Sequence, residues 1–324
     1  MKIIINNYHY KTANTMETTQ ESIFKENENH VATTLCQVVE KLCGPSKQDV
    51  VRTGIRADGS PWIMVADGHG KDLVTDALRA QNWDDVMNRD DYFEFIENMV
   101  MELGDTGGSG ATMSTVIMAP DGMHCKWRGD SVIKIFQHDK LHHLPQCVFS
   151  ARPHNMHHEQ EASRMQSFAA ETPAFNILVL SPTELTMEPS NYYNVGTKIN
   201  KYGQLVPDQV AMTNALGHNG GCRGVAEEAF VPMTAGAEYS VVVATDGLWD
   251  MLCDDDTQLI ATSSAEELAD IAMKRWEQEW DYTYPNPRVY KGTELEHTIE
   301  TSKQNMGGDQ KDDIGVAVWR GVYS

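Results

Sequence analysis

The chain has 324 residues, with 26 Lys plus Arg against 47 Asp plus Glu, a formal charge of −21. That length can bury a sizeable core, as one large domain or two ordinary ones, and a 41% apolar content excludes a disordered polyanion. The acidity excludes nucleic acid as the main partner, because no basic patch offsets it and Lys274-Arg275 itself lies among acids. The six cysteines (36, 43, 125, 147, 222 and 253) form no C-x-x-C pair and no zinc-finger spacing with histidine. The apolar core of Met1-Lys2-Ile3-Ile4-Ile5-Asn6 is too short for a signal peptide, and no window approaches a membrane span. The expectation is a soluble, reduced, intracellular monomer, cytoplasmic or nuclear, with no membrane partner.

In chain order, Val50–Ile55 and the run 62–66 read as a hairpin around Ala57-Asp58-Gly59-Ser60. Helical spacing follows over 73–83 and 92–103. The stretch 112–136 reads as a three-stranded meander, turning at Pro120-Asp121-Gly122 and at Gly129-Asp130. Further strands are expected at 176–180, 240–244 and 314–319. The segment 181–224, rich in Asn, Gly and Tyr, reads as a long, variable, flap-like loop. A helix over 265–280 opens with a capping box, Ser264 with Glu267 three residues on. Strands and helices in blocks, without βαβ alternation, indicate an α+β fold with largely antiparallel sheets and helices on the outer faces of two stacked sheets.

One pattern recurs: an aspartate at the very end of an apolar strand. The run 62–66 enters Asp67-Gly68-His69-Gly70, and 241–245 enters Asp246-Gly247. Asp312-Asp313 stands just before the run 314–319. With the last strand antiparallel to the others, the three acids arrive at one rim. Carboxylates crowded together repel, and a hard, oxygen-seeking cation such as Mg²⁺ or Mn²⁺ relieves the repulsion. Taken singly, each Asp-Gly reads as a turn rather than a ligand.

Asp67-Gly68-His69-Gly70 resembles the D-G-H-G/A-G signature of the metal-dependent protein serine/threonine phosphatases of type 2C. Ser109-Gly110-Ala111-Thr112 resembles the S-G-S-T segment of that family, and Gly129-Asp130-Ser131 its G-D-S turn. The run from Ala244-Thr245-Asp246-Gly247 through Leu248-Trp249-Asp250 is similar to A-S-D-G-L-W-D, and Asp312-Asp313-Ile314 to the closing D-N/D-I-T. Glu161-x-x-Arg164 and Asn214-Ala215-Leu216-Gly217 echo E-x-x-R-I and R-A-L-G-D more loosely. The matches run in family order from about residue 24 onward.

The resemblance implies a four-layer α-β-β-α sandwich over 1–324, a single phosphatase domain with a flap at 181–224. It implies hydrolysis of phosphoserine or phosphothreonine in a phosphoprotein substrate, by water activated at a pair of Mn²⁺ or Mg²⁺ ions. Asp67 would bridge the metals, the Gly68 carbonyl would join one, and Asp246 and Asp312 would hold the other. His69 would be the general acid. The family's Glu-Asp pair falls on Glu28-Asn29, which makes Glu28 a ligand and leaves an amide at Asn29. Phe24 stands where the family has a phosphate-binding Arg, so Lys25, Arg52 and Arg56 become candidates, and Asp105 is a candidate for a third metal. Asp130 reads as a turn residue, and His154-x-x-His157-His158 and His142-His143 as structural or solvated. Asn29, Phe24 and Lys71 in place of the last signature glycine leave room for an alternative, a weak or inactive pseudophosphatase serving as a binding module.

Overall fold

The computed structural model describes residues 5–12, 15–24, 34–42, 47–138, 144–155, 161, 171–199, 203–222, 224–285, 299–306 and 311–323. Two antiparallel sheets lie face to face. The first has seven strands, in the order Ile5–Thr12, Thr15–Phe24, Thr34–Leu42, Ile314–Val322, Glu238–Ala244, Val132–His138 and Pro145–Ser150. The second has five, in the order Glu227–Val231, Gly122–Arg128, Met113–Ala119, Pro61–Ala66 and Val50–Ile55.

Alternation along the strands assigns the faces. Val241 and Val243 pack with Ile63, Val65 and Val116 between the sheets, while Val242 and Ala244 point the other way against Leu268, Ala272 and Trp276 of helix Ala265–Glu277. A strand buried on both faces needs an unbroken apolar run, which explains Val241-Val242-Val243-Ala244. The second sheet does the same, with Trp62 and Met64 packing on Leu78, Phe93 and Ile96 of helices Leu73–Arg79 and Tyr92–Glu102. The outcome is an α+β fold with helices outside two antiparallel sheets, as the sequence indicates.

The sequence reading needs correction at four places. The stretch 112–136 is not one meander. Met113–Ala119 and Gly122–Arg128 pair in the second sheet, but Val132–His138 pairs with Glu238–Ala244 in the first. Gly129-Asp130-Ser131 is therefore a crossing between layers, and Gly129 (φ 109°) makes it because a Cβ there would lie 2.5 Å from Thr112. The helix expected over 73–83 stops at Arg79, where the Trp83 indole N–H donates to the Leu78 carbonyl at 3.0 Å. Trp280 likewise lies beyond helix Ala265–Glu277, expected to run to 280, and its indole donates to the Arg275 carbonyl at 2.8 Å. An indole that satisfies a helix-end carbonyl keeps apolar spacing running past the true terminus.

The expected loop 181–224 is instead largely strand. Glu184–Ile199 pairs antiparallel with Glu171–Ser181 and with Leu205–Val210, and in parallel with Glu279–Pro285. Its strand-forming Thr, Tyr, Val and Ile residues are interleaved with Asn and Gly, which hides the period.

The capping box forms as read: Glu267 N–H donates to Ser264 Oγ at 3.2 Å and Ser264 N–H to Glu267 Oε2 at 2.8 Å. Ser264→Ala is expected to remove about 1 kcal/mol of stability, seen as a Tm lowered by roughly 2–4 °C in a thermal melt.

Candidate metal centre

Strand register brings the acids to one rim of the sandwich. Val132 pairs with Ala244, and Ala244 with Val316, so Ser131, Thr245 and Gly315 cluster just beyond the ladder of the first sheet. In the second sheet Val50 pairs with Ala66, which sets Asp49 beside Asp67. One carboxylate oxygen from each of Asp67, Asp130 and Asp246 lies within 4.8 Å of the others, a group that could hold a metal ion. Asp67 and Asp246 are thus brought together as expected, and Asp130, read from the sequence as a turn residue, joins them from the crossing between the sheets.

Backbone contacts fix these positions. The Thr112 hydroxyl accepts the Asp67 N–H at 3.0 Å and lies 2.6 Å from Ser131 Oγ, and Thr112 N–H donates to the Asp67 carbonyl at 2.8 Å. One threonine thus links the Asp67 strand end to the Asp130 crossing, which is what Ser109-Gly110-Ala111-Thr112 and Gly129-Asp130-Ser131 accomplish. Gly68 is buried where a Cβ would lie 2.2 Å from Thr75 Cγ2, and a Cβ at Gly247 would lie 1.9 Å from the Asp313 carbonyl. Both Asp-Gly pairs need glycine for close packing, not only for turning.

Further acids surround this core. Asp49 Oδ2 accepts from Thr245 Oγ1 at 2.8 Å, and Asp313 Oδ2 accepts from the Gln48 N–H at 2.7 Å. Burial, and then repulsion from Asp130, pushes the Asp246 pKa up to about 7; burial, and then Asp246, takes Asp312 to about 8. Burial, and then Asp312, takes Asp130 to about 6. Burial followed by neighbouring carboxylates raises Asp67, Asp49 and Asp250 well above the usual range. Asp312 thus belongs to the same electrostatic group, although its oxygens are not among the three that converge.

The donor set fits a hard divalent cation. Asp49 Oδ1, Asp130 Oδ1, Asp246 Oδ1 and Gln48 Oε1 are buried with no hydrogen-bond partner. Buried oxygens without a donor are costly unless a cation takes that place.

Sequence reasoning missed Asp49, Asp130, Asp250 and His218. Asp49 was findable, because it precedes an apolar strand just as Asp312 does. His218 gave no signal, yet its Nε2 meets His69 Nδ1 at 2.7 Å. Lys25, Glu28 and Asn29 lie outside the described residues, as do His142-His143 and His157-His158. Gln48-Asp49 is an adjacent amide and carboxylate at the start of the strand beside Asp67. Asp105 is exposed and apart from the cluster, accepting from Gly107 N–H at 2.9 Å and Asn219 Nδ2 at 3.0 Å. Arg52 pairs with Glu40 at 2.8 Å, and Arg56 with Asp90 and Asp58 at 3.6 and 3.7 Å. His154 is buried, with Nδ1 3.0 Å from the Gly129 amide and carbonyl, and so is structural.

No protein-family model and no curated protein matches the sequence. Solved structures do. The serine-threonine phosphatase 2C of Toxoplasma gondii superposes with a TM-score of 0.50 at 13% identity, covering 99% of each chain. A sex-determining protein of C. elegans superposes with a TM-score of 0.50 at 15% identity, over 91% of this chain and 66% of that one. The chain therefore spans just under two thirds of the latter protein. The fold is that of type 2C phosphatases.

A folded-state pKa above the unfolded one means that the folded state binds more protons, so stability is greatest at acid pH and falls as pH rises through the folded values. In EDTA, the Tm is expected to fall between the ordinary carboxylate range and about pH 8. Millimolar Mn²⁺ is expected to abolish that fall. Asp246→Asn is expected to raise the Tm in EDTA at pH 8, by roughly 2–4 °C per kcal/mol of repulsion relieved, and to weaken the Mn²⁺-induced rise. A Tm in EDTA that climbs with pH would exclude the repulsive cluster.

Proposed function

We propose that the chain is a metal-dependent phosphoprotein phosphatase that hydrolyses phosphoserine and phosphothreonine, with residues 1–324 acting as a single domain. The observation that carries this reading is the convergence of Asp67, Asp130 and Asp246 within 4.8 Å, with buried, unpartnered oxygens, on a fold shared with a type 2C phosphatase. Asp67, Asp130, Asp246 and Asp312 would hold two Mn²⁺ or Mg²⁺ ions, with the Gly68 carbonyl and Asp49 or Gln48 beside them. The ions would supply an acidified water and charge neutralisation at phosphorus.

The chain's own residues do the rest. Thr112 and Ser131 keep the Asp67 strand end and the Asp130 crossing in register, so the ligands are set before substrate arrives. His69, two residues after Asp67, protonates the departing seryl or threonyl oxygen, a group too basic to leave as an alkoxide. No cysteine nucleophile is required, and Cys36, Cys125 and Cys222 are buried core residues. Among the described residues, no helix is long and apolar enough to cross a membrane.

A binding module with little turnover is a second reading, favoured by the neutral Gln48 at the rim and by the pairing of Arg52 and Arg56 with carboxylates. The experiment that decides is Mn²⁺-dependent release of phosphate from a phosphothreonine peptide. Activity is expected, lost in EDTA and lowered by more than roughly 100-fold in Asp246→Asn. No release by the wild type at millimolar Mn²⁺ would leave the binding module standing.

A further inference from the structure

His218 follows directly on Leu216–Gly217, a short strand that pairs with Gly110–Ala111, which pairs in turn with Gly68–His69. Gly110 is thus opposite both His69 and Gly217. The two imidazoles stack, with centroids 4.7 Å apart and planes at 21°, and His218 is buried. A Cβ at Gly110 would lie 2.2 Å from His218 Nε2 and 2.9 Å from His69 Cε1. Glycine is therefore required at 110 for the rings to meet.

The backbone under His218 is held in a form that side chains disfavour. His218 and Asn219 have φ of 49° and 52°, in the left-handed region. Several bonds hold it there. His218 N–H donates to the Ser109 carbonyl at 2.8 Å, and Gly221 N–H donates to the His218 carbonyl at 2.8 Å. Asn219 Oδ1 accepts from Thr106 N–H at 2.7 Å and from Thr106 Oγ1 at 3.0 Å. A strained turn tied down this firmly, beside a histidine at the candidate centre, is an arrangement that pre-organises a side chain.

We propose that His218 is a positioning residue for His69, an inference that rests on the phosphatase reading. A hydrogen bond between two ring nitrogens needs one of them to carry the proton and the other to accept it, so the pair fixes both the ring orientation and the tautomer of His69. With Nδ1 engaged by His218, proton delivery falls to Nε2. Water forms a bond to phosphorus as the bond from phosphorus to the seryl oxygen breaks. The Nε2 proton of the His69 imidazolium, whose Nδ1–H donates to His218 Nε2, goes to that oxygen, and the proton lost by the water restores the imidazolium, leaving serine and inorganic phosphate. A carboxylate is the commoner partner for such a histidine. An imidazole orients His69 without adding negative charge to a rim already crowded with acids.

The test compares His218→Gly, which removes the ring and tolerates positive φ, with His218→Gln, whose amide reaches the same position. Each is assayed with Mn²⁺ on a phosphoserine peptide, whose leaving oxygen needs a proton, and on p-nitrophenyl phosphate, whose leaving group does not. His218→Gly is expected to lower kcat on the peptide by roughly 10–100-fold, at least about tenfold more than on p-nitrophenyl phosphate, with KM little changed. His218→Gln is expected to recover most of the loss. Equal losses on both substrates, or none on the peptide, would overturn the assignment while leaving the phosphatase reading intact. A wild type that releases no phosphate would remove that reading instead. The positioning is then read from ¹⁵N-histidine spectra of the metal-free protein: His69 is expected to hold one tautomer in the wild type and in His218→Gln but a mixture in His218→Gly. An unchanged His69 tautomer in His218→Gly would refute the inference.

Discussion

Mutual repulsion among buried carboxylates is the constraint around which the molecule is arranged. Asp49 and Asp67 reach the rim from the second sheet, Asp246 and Asp312 from the first, and Asp130 from the crossing between them. Burial and mutual charge raise the pKa of each of them above the ordinary range. Such a cluster persists in a folded chain only where packing elsewhere holds it together. Here two apolar cores flank the sheets and a third lies between them.

The hydrogen bonds near the rim counter that repulsion by locking backbone rather than by neutralising charge. Thr112 ties Asp67 to the segment containing Ser131, Thr245 ties Asp49 to Gly315, and Asp313 receives the Gln48 amide. The acids that accept these protein donors have a fixed orientation. Asp130 and Asp246, each with a buried unpartnered oxygen, converge with Asp67, while Asp49 has one oxygen bonded to Thr245 and the other unpartnered.

Much of this was legible in the sequence. The strand-end rule singled out Asp67, Asp246 and Asp312, and the unbroken run 241–244 follows from a strand covered on both faces. The same rule, applied to Val50–Ile55, would have yielded Asp49. Asp130 was not legible, because Gly129-Asp130-Ser131 has the composition of a hairpin turn and only long-range pairing reveals it as a crossing. The ends of two helices were misread because Trp83 and Trp280 continue the apolar spacing while capping carbonyls with their indoles. His218 was invisible because its role depends on a short strand and on the absence of a side chain at Gly110, neither of which leaves a periodic trace.

The position of Ile314–Val322 bears on how the protein is made. It lies between Thr34–Leu42 and Glu238–Ala244, in the interior of the larger sheet, although it comes late in the chain. During synthesis, the flanking strands emerge from the ribosome with the slot between them empty and their ladder edges exposed, a state open to wrong pairing. The bond from Gln48 to Asp313 spans 265 residues, so Asp312 and Asp313 join the rim only once that strand is inserted. Full assembly of the carboxylate rim is thereby tied to translation through this strand, and contacts of such long range slow its insertion.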